Sequence, residues 1–169
     1  MIGINNHDVI MTEITETDAL GRMQAYCASS EHCKSEIVEK LQRWGIAYDA
    51  VDRIVDRLVQ EKYIDEDRYC RAFVRDKYRF DKWGKVKIAQ ALQLKKISPY
   101  VYNLMLNEID EEEYLGILQR LLESKRKSVR AATPYEQNGK LVRYALSRGF
   151  EMKDIRRCIE LDEENAGIE

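Results

Sequence analysis

Four arginines spaced three and four residues apart, Arg68, Arg71, Arg75 and Arg79, are the first side chains in this sequence with chemistry to offer. At about 100° per residue on a helix they fall within about 80° of arc. Like charges at i,i+4 repel, so such a stripe weakens its own helix unless carboxylates such as Asp76 screen it. The plain reading is a solvated helix face. The functional reading is an anion-facing surface, because the guanidinium fork matches phosphate and carboxylate geometry. Lys82, Lys85, Lys87, Lys95 and Lys96 continue the run, with Trp83 and Gly84 at a corner expected to be flexible. Cations interleaved with an aromatic could hold a nucleic-acid backbone and stack a base, although a tryptophan at such a corner is more often a packing residue. The candidate binding residues are therefore Arg68, Arg71, Arg75, Arg79, Lys82, Lys85 and Lys87. A second basic set comprises Lys125, Arg126, Lys127, Arg130, Arg143, Arg148, Arg156 and Arg157. Of these, Lys125 to Lys127 answer a helix dipole as readily as a ligand.

Catalysis is harder to assemble. There is no Gly-rich phosphate loop, no G-x-S-x-G and no H-E-x-x-H. His7 lies in an acidic arm, which leaves His32 as the one histidine of the folded part. Glu111, Glu112 and Glu113 point in different directions on a helix and read as dipole partners of its first turn. The four cysteines, Cys27, Cys33, Cys70 and Cys158, contain no C-x-x-C pair. Cys27, His32 and Cys33 lie close in sequence but lack an evident fourth ligand. The expectation is a protein that is not an enzyme and takes no cofactor and no metal.

The elements that carry these residues are helical throughout. Two prolines and eight glycines give little punctuation for a many-stranded fold. Ile37, Val38, Leu41 and Trp44 form one apolar stripe; Val51, Ile54, Val55, Leu58 and Val59 form another. Gly45 between them suits the residue after a helix C-terminus, and Asp49 is a plausible N-cap. The pattern recurs. Ile37, Leu41, Gly45, Ile46 and Val51 align with Ile88, Leu92, Lys96, Ile97 and Tyr102, and then with Leu141, Ala145, Gly149, Phe150 and Ile155. One more helix precedes each copy, near 17–30, 66–80 and 111–128. Ser98-Pro99 and the capping box Thr133-Pro134-Tyr135-Glu136 mark two helix starts. Asp65, Glu66 and Asp67 place negative charge at another. The expected fold is all-α, an elongated array of three tandem three-helix repeats. Its boundaries are an acidic N-terminal arm over 1–16, repeats over 17–63, 64–110 and 111–162, and an acidic tail over 163–169.

Charge distribution sharpens the functional reading. The formal net charge of -2 announces no polyanion partner, with 34% of residues charged and 44% hydrophobic. Within 68–96, however, ten Lys and Arg stand against Asp76 and Asp81, while residues 1–18 hold four acids and no base. No apolar run is long enough to span a bilayer and no secretory signal is evident, so no membrane partner and a reducing cytoplasm are expected.

The stretch from Leu58 to Lys77 resembles the signature region of the bacterial regulatory protein RecX family. The resemblance rests on Tyr63-Ile64, the acidic cap Asp65-Glu66-Asp67, the aromatic Tyr69 and the core Phe73-Val74-Arg75. Gly84, Ile88, Leu92 and Ile97 sit at that family's spacing for the next helix, and the likeness covers about residues 17–160. It implies the triple three-helix fold and a non-catalytic modulator of the RecA recombinase. Members of the family bind the recombinase filament along its groove, generally block ATP-driven strand exchange and filament growth, and also bind DNA. The resemblance carries that role onto Arg68, Arg71, Arg75, Lys85 and Lys87. Lys96 departs from the pattern, standing where the other two repeats have glycine. The slightly acidic net charge implies weak binding to bare single-stranded DNA. A monomer that modulates, and mostly inhibits, a recombinase–DNA filament is the leading expectation. The alternatives are a stand-alone single-stranded nucleic-acid-binding helical repeat and a helical adaptor for an unrelated protein.

Overall fold

The computed structural model describes residues 13–159. Among the described residues there are nine α-helices and no strand. The acidic tail, His7 and all but the end of the acidic arm lie outside the described residues. Glu16, placed in the arm by sequence, is the first residue of a helix. The chain divides into two compact units between Ile64 and Asp65.

The first unit is one helical triplet: α1 (Glu16–Ser29), α2 (Lys34–Arg43) and α3 (Tyr48–Gln60). Met23, Ile37, Leu41, Ile54 and Leu58 are sealed from solvent at its centre, with Ala19, Cys27, Val51 and Ile64 around them. α3 packs on both α1 and α2. Val38 and Trp44 are partly buried and pack against this core, and of the two apolar stripes only Val59 is exposed. Asp49 is not the N-cap of α3. Ala47 holds that position, and Asp49 in the first turn pairs with Arg53, which also binds Glu16 of α1.

The second unit holds two triplets. The first consists of α4 (Glu66–Arg79), α5 (Lys85–Leu94) and α6 (Pro99–Asn107); the second of α7 (Glu111–Ser128), α8 (Pro134–Ser147) and α9 (Met152–Cys158). α4 packs on α5 and α6, α7 on α8 and α9, and α4 touches α7. Ser98 and Pro99 open α6 as expected. Thr133 Oγ1 accepts the Glu136 N–H at 3.1 Å, but the Glu136 carboxylate returns to the Ala132 N–H and not to the cap residue itself.

The recurrent turn is the same in all three triplets. The N–H groups of Gly45, Lys96 and Gly149 each donate to the carbonyl three residues back, at 2.9 Å. The next residue, Ile46, Ile97 or Phe150, donates to the carbonyl five back, at 3.1–3.2 Å. This paired closure needs a left-handed residue, and φ is 76° at Gly45, 61° at Lys96 and 90° at Gly149. Lys96 therefore adopts the glycine conformation without being glycine.

The corner at Trp83–Gly84, expected to be flexible, is a rigid seam. The Gly84 N–H donates to the Arg148 carbonyl at 2.8 Å, and the Val86 N–H to the Gly149 carbonyl at 3.1 Å. A Cβ on Gly84 would lie 2.1 Å from the Gly149 carbonyl carbon, and one on Gly149 would lie 2.4 Å from the Lys87 Cβ. Two glycines thus let the α4–α5 loop and the α8–α9 turn meet backbone to backbone. Tyr114, almost wholly buried, seals the seam from below. Its hydroxyl accepts the Lys85 N–H at 2.9 Å and its ring lies against Phe150. Burial pushes the Tyr114 hydroxyl well above the usual tyrosine range, which keeps it neutral.

Candidate anion-binding surface on α4 and α5

α4 starts where Asp65 caps it, its carboxylate accepting the Arg68 N–H at 2.9 Å, and the acids of the first turn complement the helix dipole. Tyr69, Cys70, Val74 and Tyr78 are buried, which fixes the rotation of the helix and turns its arginines outward. Their side chains are 44–58% exposed. Each of the four nevertheless faces a carboxylate of its own chain.

Arg71 donates through two nitrogens to Glu108 at 3.2 and 3.3 Å, linking α4 to the end of α6. Arg79 grips Glu113 with two bonds of 2.8 and 3.0 Å, linking α4 to the first turn of α7, and Tyr78 donates its hydroxyl to the same carboxylate. Arg75 reaches Asp76 at 3.2 Å and Arg68 reaches Asp65 at 4.0 Å. The guanidinium of Arg79 holds the Glu113 carboxyl below its ordinary range, and Glu108 and Glu113 push Arg71 and Arg79 up. Exposed pairs of this kind contribute little to stability, about 0–1 kcal/mol each in general. Their effect here is orientation: the predicted stripe is partly a set of tethers between helices. Glu113, read from sequence as a dipole partner, is also an anchor for α4.

The lysines differ. Among the described residues none of Lys82, Lys85 and Lys87 forms an ion pair. Lys82, left-handed at φ 56°, donates its ammonium to the Arg79 carbonyl. The Lys85 ammonium stands 5.1 Å from the centre of the Tyr114 ring. The Lys87 ammonium stands 4.5 Å from the centre of Trp83, and Lys77, outside the predicted set, stands 4.6 Å from it. Lys77 also lies 5.4 Å from Phe73 and bonds Asp81 at 2.6 Å. Lys95 approaches Phe73 and Tyr69 at 5.9 and 6.0 Å. Cations and aromatic rings alternate along this α4–α5 face. The i,i+4 spacing of Phe73 and Lys77 could have signalled it; the pairing of either with Trp83 could not.

Half of the second basic set is engaged. Arg148 donates to the Asp81 carbonyl, Arg157 pairs with Glu111, and Arg126 reaches Gln137 at 3.0 Å. Lys125 lies over Tyr144 at 4.7 Å. In the first unit His32 stacks on Tyr26 at 3.8 Å and meets Glu36 at 3.0 Å, while Cys33 Sγ bonds the Ser35 hydroxyl. Among the described residues no three His, Cys, Asp or Glu side chains gather as metal ligands. Burial pushes the Cys70 thiol up to about 11, away from thiolate reactivity. Among the described residues no helix is long and apolar enough to cross a membrane.

Comparison with known proteins agrees with this arrangement. The family model for the second three-helix domain of RecX matches residues 65–103, and that for the third matches 111–159. A regulatory protein RecX of Acinetobacter baylyi is 27% identical over 154 residues, which are 90% of this chain and 92% of that protein. A regulatory protein RecX of Pelodictyon phaeoclathratiforme is 24% identical over 130 residues, covering 77% of this chain and 79% of its relative. In fold, the chain is similar to a crystal structure of regulatory protein RecX, with a TM-score of 0.79 and 22% identity over 85% of this chain and 72% of that one. The two domain models together take in more than half the chain, on the same α4-to-α9 helices that carry the seam and the basic face, and the chain belongs to the RecX family of regulatory proteins.

Proposed function

We propose that this protein regulates a RecA-type recombinase by binding its filament on single-stranded DNA, lowering ATP turnover and strand exchange without catalysing a reaction itself. The reading is supported above all by the concentration of ten Lys and Arg within 68–96, in which Lys82, Lys85 and Lys87 have no carboxylate partner among the described residues. Arg68, Arg71, Arg75 and Arg79 stand beside them on α4 and can exchange an exposed carboxylate for a phosphate or for an acid of the recombinase at little cost. A string of helical triplets touching successive protomers would add weak contacts into avidity. The engaged arginines and the net charge of -2 oppose tight binding to bare DNA, which favours a filament over a stand-alone nucleic-acid target.

The test is recombinase ATPase activity on single-stranded DNA with this protein added substoichiometrically. A fall in turnover is expected. Turnover unchanged at stoichiometric protein would refute the reading, and tight binding to bare single strands in that case would favour the stand-alone nucleic-acid binder.

A further inference from the structure

The geometry points to Trp83 as a stacking platform for one base of a single strand, with Lys77 and Lys87 placed for the phosphates on either side. The assignment takes its strand from the filament-regulator reading and names the part of the surface that touches nucleic acid.

Three observations carry it. The first is presentation. Trp83 is half-buried on the α4–α5 loop, where its backbone N–H donates to the Lys77 carbonyl at 3.0 Å. The next residue, Gly84, is locked against Gly149 by the seam. A ring held by such a backbone loses little freedom on binding, which lowers the cost of engagement. The second is the company it keeps. The Lys87 ammonium, 4.5 Å from the ring centre, is held by the weak attraction of a cation to a π-face, while that of Lys77, at 4.6 Å, is also paired with Asp81 at 2.6 Å. Lys87 has no ion pair among the described residues, so a phosphate can draw its ammonium aside and leave ring surface for a base. The third is continuity. Phe73 and Lys95 extend the alternation along the same two helices. Successive bases stacking on aromatics while cations track the backbone is how single strands are held without sequence preference. An acidic protein segment would need the cations alone and would leave the interleaved rings without a role.

The test uses the full chain with Trp44→Phe, so that Trp83 alone reports by emission. The probe is a fluorescently labelled oligothymidylate of roughly 16 nucleotides, whose anisotropy gives the affinity of every variant, and circular dichroism checks the fold of each. Binding is expected to quench Trp83. Trp83→Leu should weaken binding about tenfold or more, Trp83→Phe should retain most of it, and a strand with abasic sites should bind the three proteins alike. A folded Trp83→Leu protein with undiminished affinity would overturn the assignment. An equal loss on the abasic strand would overturn it too, since a purely structural role predicts that result. If Trp83→Leu does not fold, emission of the Trp44→Phe protein decides: quenching by the intact strand and not by the abasic one is expected, and equal quenching by both, or none by either, would overturn the assignment. Weaker filament binding by Lys77→Gln with Lys87→Gln, but not by Trp83→Leu, would assign the face to an acidic protein segment and also overturn it. Failure of the filament reading looks different: wild-type protein would leave recombinase ATPase unchanged while its binding to oligothymidylate still depended on Trp83.

Discussion

Gly84→Ala replaces one hydrogen with a methyl group at the seam of the second unit. The new Cβ would lie 2.1–2.2 Å from the carbonyl carbon and oxygen of Gly149 and the nitrogen of Phe150, where ordinary contact begins at 3.4 Å. All three neighbours are backbone, so no side chain can swing away. The two segments must part by more than an ångström, which breaks the Gly84–Arg148 and Val86–Gly149 hydrogen bonds. Two such bonds are worth about 1 kcal/mol each, and forced overpacking adds about 1–3 kcal/mol. The expected loss is about 3–5 kcal/mol, a large part of the stability of an ordinary domain. Urea unfolding followed by Trp83 emission in a Trp44→Phe background measures it, and hydrogen exchange at the Gly84 and Val86 amides reads the seam directly. Gly139→Ala is the control of opposite sign. It lies inside α8, where the nearest heavy atom to a new Cβ is the far end of Arg143 at 3.7 Å, and should stabilise by about 1 kcal/mol. If Gly84→Ala unfolds within about 1 kcal/mol of the wild type, the backbones do not meet and the account of the seam is wrong.

Lys96→Gly should stabilise the chain by about 0.5–1 kcal/mol in the same urea assay, because a left-handed side chain costs more than glycine's extra freedom. Stability should fall in acid partly through Glu113. Its folded value is depressed by Arg79, so its contribution is complete above the unfolded carboxyl value of about 4.3 and is lost as pH drops through the lower folded value. Melting temperature against pH should therefore fall less steeply below that point in Glu113→Gln than in the wild type. Replacing Arg68, Arg71 and Arg75 together by alanine should leave the helical signal intact and weaken filament binding. If phosphates are what those residues meet, the dependence of log K on log salt should flatten by about 0.7 per lost contact. Unchanged filament affinity in the folded triple variant would remove these residues from the surface.

Local order was readable from sequence, and partners across distance were not. The stripes at Ile37 and Leu41, Ile88 and Leu92, and Leu141 and Ala145 gave the buried helix faces, because a 3.6-residue period records which side is apolar. The alignment of Gly45, Lys96 and Gly149 gave three equivalent turns, including one where the residue type argued against it. The same periodicity put the α4 arginines on one side but said nothing of what stands opposite. Glu108 lies 37 residues from Arg71 and Glu113 lies 34 from Arg79, so no local pattern joins them. Gly84 reads as part of a flexible corner for the same reason. Its rigidity comes from Gly149, a residue whose relation to it exists only once α7 and α8 are folded. Asp49 shows the smaller limit, since Asp suits a cap and a first turn almost equally well and the backbone chose the latter.

The seam also bears on how the array could grow or shrink by duplication. Units that meet only through interchangeable side-chain faces can be copied or deleted with little harm. Here the turn that recurs three times has acquired three different fates. At Gly45 nothing lies within 4 Å of where a Cβ would stand, at Lys96 a long side chain occupies the position, and at Gly149 only a hydrogen fits against Lys87. In a duplicated middle triplet the second copy would present its Lys96 to the Gly84 of the copy before it, where no Cβ fits. Deleting the last triplet would strand the Gly84 and Val86 amides, which donate to Arg148 and Gly149. The glycine pair works as a key and lock between the middle and last triplets, so these two repeats are not exchangeable parts.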